Sequence, residues 1–146
     1  MSPYPPVLKE MLCFSLYAAN NAMNRVYKPL FEPLGLTYPQ YLVLVVLWGK
    51  NEMTVSQIGD CLGLDSNTLT PLLKRMEVSG LLRRKRNAKD ERQVIISLTA
   101  KGREMQSKSN HIPACILETT ELSVAEAMQL CSTLADLRQS IEKTRG

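Results

Sequence analysis

A pair of short helical segments joined by a tight turn limits the possible folds of this 146-residue chain more than any other feature. Thr54-x-x-Gln57 has the spacing of a capping box, which satisfies free backbone N–H groups where a helix starts. The helix that follows ends at Gly63, and after two further residues a second helix runs to the neighbourhood of Gly80. Its apolar side chains recur at helical spacing and should face inward; they are Leu69, Leu72, Leu73 and Met76. Two short helices with such a turn are typical of a helix-turn-helix.

A basic segment follows this motif and lies between two apolar runs. Residues 74–92 hold eight basic and three acidic side chains, a net charge of +5, although the whole chain carries only +4. Leu81 and Leu82 precede most of these cations, and the β-branched run QVIISL at 93–98 follows them, so we expect a β-hairpin with the basic residues in its loop. A charge run alone fits a solvated hairpin equally well. After a helix-turn-helix, a basic hairpin predicts a winged helix whose charged face binds phosphate.

Long amphipathic segments flank this winged core. Apolar residues recur at helical spacing after Pro5 and Pro6 from Leu8 to Leu30, and Ser123-x-x-Glu126 caps a final helix. We therefore expect a mainly α-helical fold with a small β-hairpin wing, as one domain over 1–146 with the core at about 37–99. The helices at about 6–34 and 100–145 exceed what this core can cover, so they predict a homodimer.

Several classes of protein are disfavoured by the composition. The longest mostly apolar run, 41–48, is far shorter than the roughly 20 residues of a membrane span, and no export signal precedes it. The four cysteines include no C-x-x-C pair, so we expect no structural zinc, no other metal and no cofactor. The sequence thus predicts a cytoplasmic protein in reducing surroundings, without structural disulfides.

Candidate DNA-binding residues occupy two places. Small polar side chains open the second helix of the motif, where recognition helices meet base edges, although Asp65, Ser66 or Thr68 can also serve only as helix caps. Two cations follow two turns later, and the hairpin adds more, with Asp90 explained as an ion pair to Arg92 at the tip of the wing. The predicted DNA-binding residues are Ser66, Asn67, Thr68, Thr70, Lys74, Arg75, Arg86, Lys89, Asp90 and Arg92.

These segments resemble the MarR family of dimeric winged-helix repressors. The resemblance is carried by LDSNTLTPLLKRM at 64–76, GLL at 80–82 and DERQVIISLT at 90–99. LCFSLY at 12–17 and LTYPQYLVL at 36–44 are similar to the branch that senses organic hydroperoxides, the OhrR and MgrA type. The resemblance spans almost the whole chain and implies that Cys13 is the peroxide sensor, hydrogen-bonded by Tyr27 and Tyr38.

The geometry of an α-helix limits how that sensor site is built. Tyr27 lies 14 residues after Cys13, which is nearly the same face of a helix but about 21 Å further along its axis. If the implied contact exists, Tyr27 must therefore reach Cys13 from the partner subunit across the dimer interface. Taken alone, Cys13 would read as a small buried hydrophobe, as most cysteines are.

The other cysteines have less definite interpretations. Cys61 falls within the first helix of the motif and is expected only to pack. The resemblance implies a resolving cysteine near Glu118 in two-cysteine members, and Cys115 lies one helical turn earlier. Cys115 is therefore preferred to Cys131 as the resolving cysteine, while a small thiol from solution or further oxidation of the sensor stays open.

Together these features predict a repressor that holds an inverted-repeat operator in double-stranded DNA and releases it when an organic hydroperoxide or related oxidant oxidises Cys13. One alternative is a repressor of the same family that is released by a small aromatic ligand. The other, from a different class, is a thiol peroxidase, against which the basic segment argues because such an enzyme does not need it.

Overall fold

The computed structural model describes residues 7–145, so Pro5 and Pro6 lie outside it. The first helix is shorter than its apolar periodicity predicts. Leu8–Glu10 form a single 3-10 turn, Met11 is extended, and helix α1 spans Leu12–Phe31. The side chains of Leu8, Met11 and Leu12 are all exposed, so packing among residues 7–145 does not stabilise a helix that begins earlier.

The helix-turn-helix forms as its caps predict. Helix α2 spans Tyr38–Gly49, α3 spans Val55–Leu62 and α4 spans Ser66–Val78. The capping boxes before α2 and α3 are both formed, with reciprocal bonds between side chain and backbone. Gly63 ends α3 at φ 68°, in the left-handed region where a side chain is disfavoured.

A three-stranded antiparallel sheet forms the wing. Strands β1 at Glu52–Thr54, β2 at Leu82–Asn87 and β3 at Asp90–Leu98 lie in the order β1-β3-β2. One expectation is corrected here. The cations at 83–86 lie within β2 and not in the loop of the hairpin, because each pairs with a residue of β3. Only Ala88 and Lys89 are left to connect the two strands.

The core lies where the helices meet the inner face of this sheet. Leu44 and Leu47 come from α2 and Ile58 from α3, and all three are inaccessible to solvent. Leu69, Leu72, Leu73 and Met76 of α4 are buried as predicted. Burying a side chain of this size contributes roughly 1.5–3 kcal/mol, so this apolar cluster fixes the position of α4 against the sheet.

Helix α5, Ala100–Ser109, is joined tightly to the winged core. The Thr99 hydroxyl accepts a hydrogen bond from the backbone N–H of Gly102 and donates one to the carbonyl of Gly80. The indole N–H of Trp48 donates to the Gly102 carbonyl at 3.0 Å. A Cβ at position 102 would overlap the carbonyl oxygen of Leu81, so only glycine permits this approach of α5 to the start of β2.

The chain divides into two compact units, the first ending at Asn110 and the second beginning at His111. The second unit consists of α6, Ile112–Thr120, and α7, Val124–Lys143, which starts at the predicted capping box of Ser123 and Glu126. Large apolar side chains of α7 are exposed, among them Met128 and Ile141.

Within residues 7–145 no single helix has the length and apolar character to cross a membrane. Residues 12–34 and α2 meet that criterion only as a pair bent by 70°.

Candidate nucleic-acid interface

The first turns of α4 present a polar surface. Asp65 caps the helix, with its carboxylate accepting the backbone N–H of Thr68 at 2.9 Å. Ser66, Asn67 and Thr68 are exposed, and Thr70 is half-buried. Among the described residues none of these four side chains is engaged in a hydrogen bond, so their donors and acceptors face outward from a rigidly held helix. The capping role therefore belongs to Asp65.

The two cations of α4 lie further along the helix than these polar side chains. Lys74 and Arg75 are exposed, and neither forms an ion pair within the part of the chain that the structure describes. Exposed, unpaired cations on the helix that carries the polar side chains are suited to contact phosphates beside a reading surface.

The tip of the wing is held by local hydrogen bonds. The Asp90 carboxylate accepts both the side chain and the backbone N–H of Arg92 at 3.1 Å, which confirms the predicted ion pair. These bonds from Arg92 lower the pKa of Asp90 below its usual range. Arg86 donates to the carbonyl of Glu91, and Asn87 accepts the backbone N–H of Lys89. Arg86, Lys89 and Arg92 are thus exposed cations on a hairpin of fixed shape.

A cleft of about 290 Å³ lies between α4 and this hairpin. We call it the wing–helix cleft. It is lined by Thr54, Ser56, Ser66, Thr70, Arg84 and Arg92, with Val55, Gln93 and Val94 completing its wall. Arg84, Thr54 and Gln93 are absent from the residues predicted above. Alternation along β2 could have identified Arg84, because it shares with Leu82 the face of the strand that turns toward the core.

Cys13 lies in the first turn of α1, whereas Tyr27 lies near the end of that helix and Tyr38 opens α2. Cys13 is exposed in the first turn, whose N-cap residue Met11 supplies no side-chain hydrogen bond. Because α1 is continuous to Phe31, Tyr27 lies about 21 Å along the axis from Cys13. One chain therefore does not bring Cys13 to Tyr27.

The structure does bring the two tyrosines together. The rings of Tyr27 and Tyr38 stack with centroids 4.1 Å apart and planes 4° from parallel. Burial, together with the neighbouring Tyr38, raises the pKa of Tyr27 well above 10, so its hydroxyl stays a hydrogen-bond donor at physiological pH. Both tyrosines border a largely apolar cavity of about 330 Å³ with Phe31 and Leu36.

The remaining cysteines differ in exposure. Cys61 is exposed on α3, so the expectation that it packs is wrong; the helix buries Ile58 and turns position 61 outward. Cys115 on α6 is half-buried, and Cys131 on α7 is exposed. No group of three or more His, Cys, Asp or Glu side chains suited to a metal ion occurs within residues 7–145.

Comparisons with known proteins agree with this architecture. Residues 25–109 match the family described as transcriptional regulator SarA/Rot. The chain is 46% identical over 136 residues to the organic hydroperoxide resistance transcriptional regulator of Bacillus subtilis, covering 93% of this chain and 92% of that protein.

Solved structures are similar over nearly the full length. Reduced AbfR bound to DNA, a protein of Staphylococcus epidermidis, superposes with a TM-score of 0.81 at 36% identity, covering 95% of each chain. AbfR has also been solved overoxidized on DNA and in a disulfide form. The M. tuberculosis regulator MOSR in complex with DNA gives a TM-score of 0.82 at 29% identity, covering 94% of this chain and all of that one. The chain therefore belongs to the SarA/Rot family of MarR-like winged-helix transcriptional regulators.

Proposed function

We propose that this protein is a homodimeric repressor that binds an inverted-repeat operator when Cys13 is reduced and releases it after an organic hydroperoxide oxidises that thiol. One observation carries the proposal. The chain combines an exposed polar surface on α4 and the wing, which is suited to DNA, with an exposed thiol in the first turn of α1. We further propose that it acts in the cytoplasm, as expected of a DNA-binding regulator in bacteria such as Bacillus subtilis, the source of one relative.

The DNA half of the proposal follows from the exposed side chains of α4 and the wing. Hydroxyl and amide groups such as those of Ser66 and Asn67 donate and accept hydrogen bonds to base edges in the major groove. The cations of the wing tip suit the adjacent minor groove, where the negative potential favours arginine. The DNA complexes of the related AbfR and MOSR support this assignment.

Exposed apolar side chains support the dimer. On α1, Leu12 and Leu16 are 56% and 37% exposed, and on α7 the side chains of Met128 and Leu134 are 68% and 40% exposed. Apolar faces of this extent on two long helices are typical of a protein–protein interface. A partner copy with its α1 antiparallel would carry Tyr27 to the Cys13 end, because the two residues lie on nearly the same face of that helix.

The proposed oxidation has two steps. The Cys13 thiolate attacks the outer oxygen of the hydroperoxide, the O–O bond breaks, and the alkoxide that leaves takes a proton to become an alcohol. The sulfur loses two electrons and becomes a sulfenic acid. A second thiolate then attacks that sulfur and expels hydroxide, which takes up a proton to become water, and the two sulfurs are left joined in a disulfide.

The identity of the second thiol decides the form of the switch. The related AbfR has been solved on DNA in an overoxidized state and separately in a disulfide form, which favours a disulfide as the state that releases DNA. The half-buried Cys115, the exposed Cys131 and a small thiol are the candidates. Mass spectrometry of the oxidised protein identifies which of them is bonded to Cys13.

The cavity beside Tyr27 and Tyr38 favours a second candidate, release by a small aromatic ligand. Its volume of about 330 Å³ and its apolar wall fit one planar ring, and Lys28 at its edge could receive a carboxylate. A ligand of this kind would act without any change at Cys13.

Titration of operator binding with cumene hydroperoxide separates the candidates. Cys13→Ser should bind the operator as the wild type does and no longer release it, because a serine hydroxyl has no sulfenic state. Cys61→Ser is the matched control, because Cys61 is also an exposed cysteine but lies on α3, and this variant should respond normally. If Cys13→Ser releases the operator at the hydroperoxide dose that acts on the wild type, the redox switch is eliminated and release by a small ligand is left. Sustained consumption of peroxide, with DNA binding that does not depend on the redox state of the protein, would instead indicate a peroxidase.

A further inference from the structure

Arg84 occupies an unusual place for a cation, on the inner face of the wing. In the register of the sheet it is paired with Ile96, which is fully buried, and two residues earlier Leu82 is paired with the buried Leu98. Cross-strand partners point to the same face of a sheet. Arg83 and Lys85 therefore point outward, while the Arg84 side chain enters the wing–helix cleft.

The Arg84 guanidinium is not satisfied by the protein there. Its Nε is buried and has no hydrogen-bond partner among the described residues. The nearby Glu77 carboxylate accepts the backbone N–H of Arg84 at 2.8 Å, and no ion pair joins the two side chains. A buried N–H without an acceptor is costly, so a ligand that supplies the acceptor would be bound favourably at this position.

The surroundings select the chemistry of that ligand. Arg84 and Arg92 are the charged residues of the cleft, and the hydroxyls of Thr54, Ser56, Ser66 and Thr70 complete its polar wall. Two guanidinium groups with hydroxyl donors and no carboxylate in the lining match an anion with several oxygens, of which a phosphate is the example. The volume of about 290 Å³ exceeds that of a water molecule, about 30 Å³, several-fold.

The position of the cleft selects the source of the phosphate. Its two sides are the first turns of α4 and the wing, which in the proposed function enter a major groove and the adjacent minor groove. One sugar–phosphate strand separates these two grooves, so that strand must pass between α4 and the wing. Resting on the proposed function, we propose that the wing–helix cleft receives a backbone phosphate of the operator and that Arg84 is its principal ligand.

The salt dependence of DNA binding tests this proposal in the full-length protein. Each phosphate contact contributes about 0.9 to the slope of log K against log salt, so Arg84→Gln should flatten the slope by about 1.8 for a dimer on two half-sites. This corresponds to an affinity about 60-fold weaker at 0.1 M salt, with the loss vanishing toward 1 M. The same change is expected on operator and on scrambled duplex, because a phosphate carries no sequence.

Lys85→Gln is the matched control, since it removes the same charge from the neighbouring residue on the outward face of β2. It measures the long-range electrostatic part alone and should flatten the slope much less. Equal slopes for the two variants would overturn the proposal. A wild-type protein that binds no duplex would refute the proposed function itself, whereas normal binding with equal variant slopes refutes only the cleft.

A chemical scan of the operator locates the contact without relying on one variant. Replacing single phosphates by neutral methylphosphonates should weaken wild-type binding at one position in each half-site where Arg84→Gln shows no further loss. Additive losses at every position would overturn the proposal. If Arg84→Gln melts well below the wild type, Arg84→Met takes its place in the scan, because methionine keeps an apolar stem in the cleft and removes the charge.

Discussion

Substitution of Gly102 by alanine should destabilise the protein although it places a better helix former inside α5. Alanine in a helix interior gains about 1 kcal/mol over glycine. The new methyl group would overlap the Leu81 carbonyl oxygen and lie 3.0 Å from Leu98 Cδ2. Overpacking of this kind costs about 1–3 kcal/mol, because backbone cannot rotate away as a side chain can.

Two hydrogen bonds depend on the same contact. If α5 moves away from the sheet, the Trp48 indole loses the Gly102 carbonyl and the Thr99 hydroxyl loses the Gly102 N–H, each worth about 1 kcal/mol. The net loss in the free energy of unfolding is then about 2–4 kcal/mol. For a chain of this length it lowers Tm by roughly 6–13 °C.

Urea unfolding followed by the fluorescence of Trp48, the single tryptophan, measures this loss directly. Gly49→Ala is the control, because that glycine is also helical and a Cβ there meets nothing within 4 Å. Both variants and the wild type are compared at one protein concentration, since association shifts apparent stability. A Gly102→Ala protein within about 0.5 kcal/mol of Gly49→Ala would refute the reasoning from close packing.

Three further outcomes are expected. Because Arg92 lowers the pKa of Asp90, the ionised carboxylate should stabilise the wing tip at pH 5–8, and this contribution should be lost only as pH falls through the lowered pKa. An NMR titration of the Asp90 carboxyl measures this pKa. A midpoint at or above the usual aspartate value would contradict the prediction. Asn67→Ala should reduce discrimination between operator and scrambled duplex by about 1–3 kcal/mol per base contact. Lys74→Ala should instead weaken binding to both duplexes equally, and binding isotherms on the two duplexes separate these effects. Tyr27→Phe should keep operator affinity but slow the oxidation of Cys13, as followed by stopped-flow mixing with hydroperoxide, because it removes one donor to the thiolate; an unchanged rate would exclude Tyr27 from the sensor.

Local chemistry made the helical part of this fold predictable from sequence. Capping boxes at Thr54 and Ser123 satisfy N–H groups within three residues, so their signal needs no tertiary context. The buried face of α4 likewise follows from the three- and four-residue spacing of its apolar side chains. The ion pair of Asp90 and Arg92 was predictable for the same reason, since the two residues are close in sequence.

Features that depend on distant partners were not predictable. Strand β1 is three residues long and is defined only by its pairing with residues 95–97 of β3. The basic residues of β2 are poor strand formers in isolation and become a strand because β3 supplies their hydrogen bonds. The start of α1 and the exposure of Cys61 depend on what surrounds them, which spacing along the chain does not encode.

The short strand β1 has a consequence for how a signal can travel through the molecule. Thr54 is at once the last residue of β1, paired with Ile95 of the wing, and the cap of α3. The first helix of the helix-turn-helix thus shares Thr54 with the strand that pairs with β3, and this connection fixes the angle between helix and wing within each subunit. In the proposed repressor, oxidation would therefore change the distance between the two winged cores of the dimer, while each core keeps its own shape.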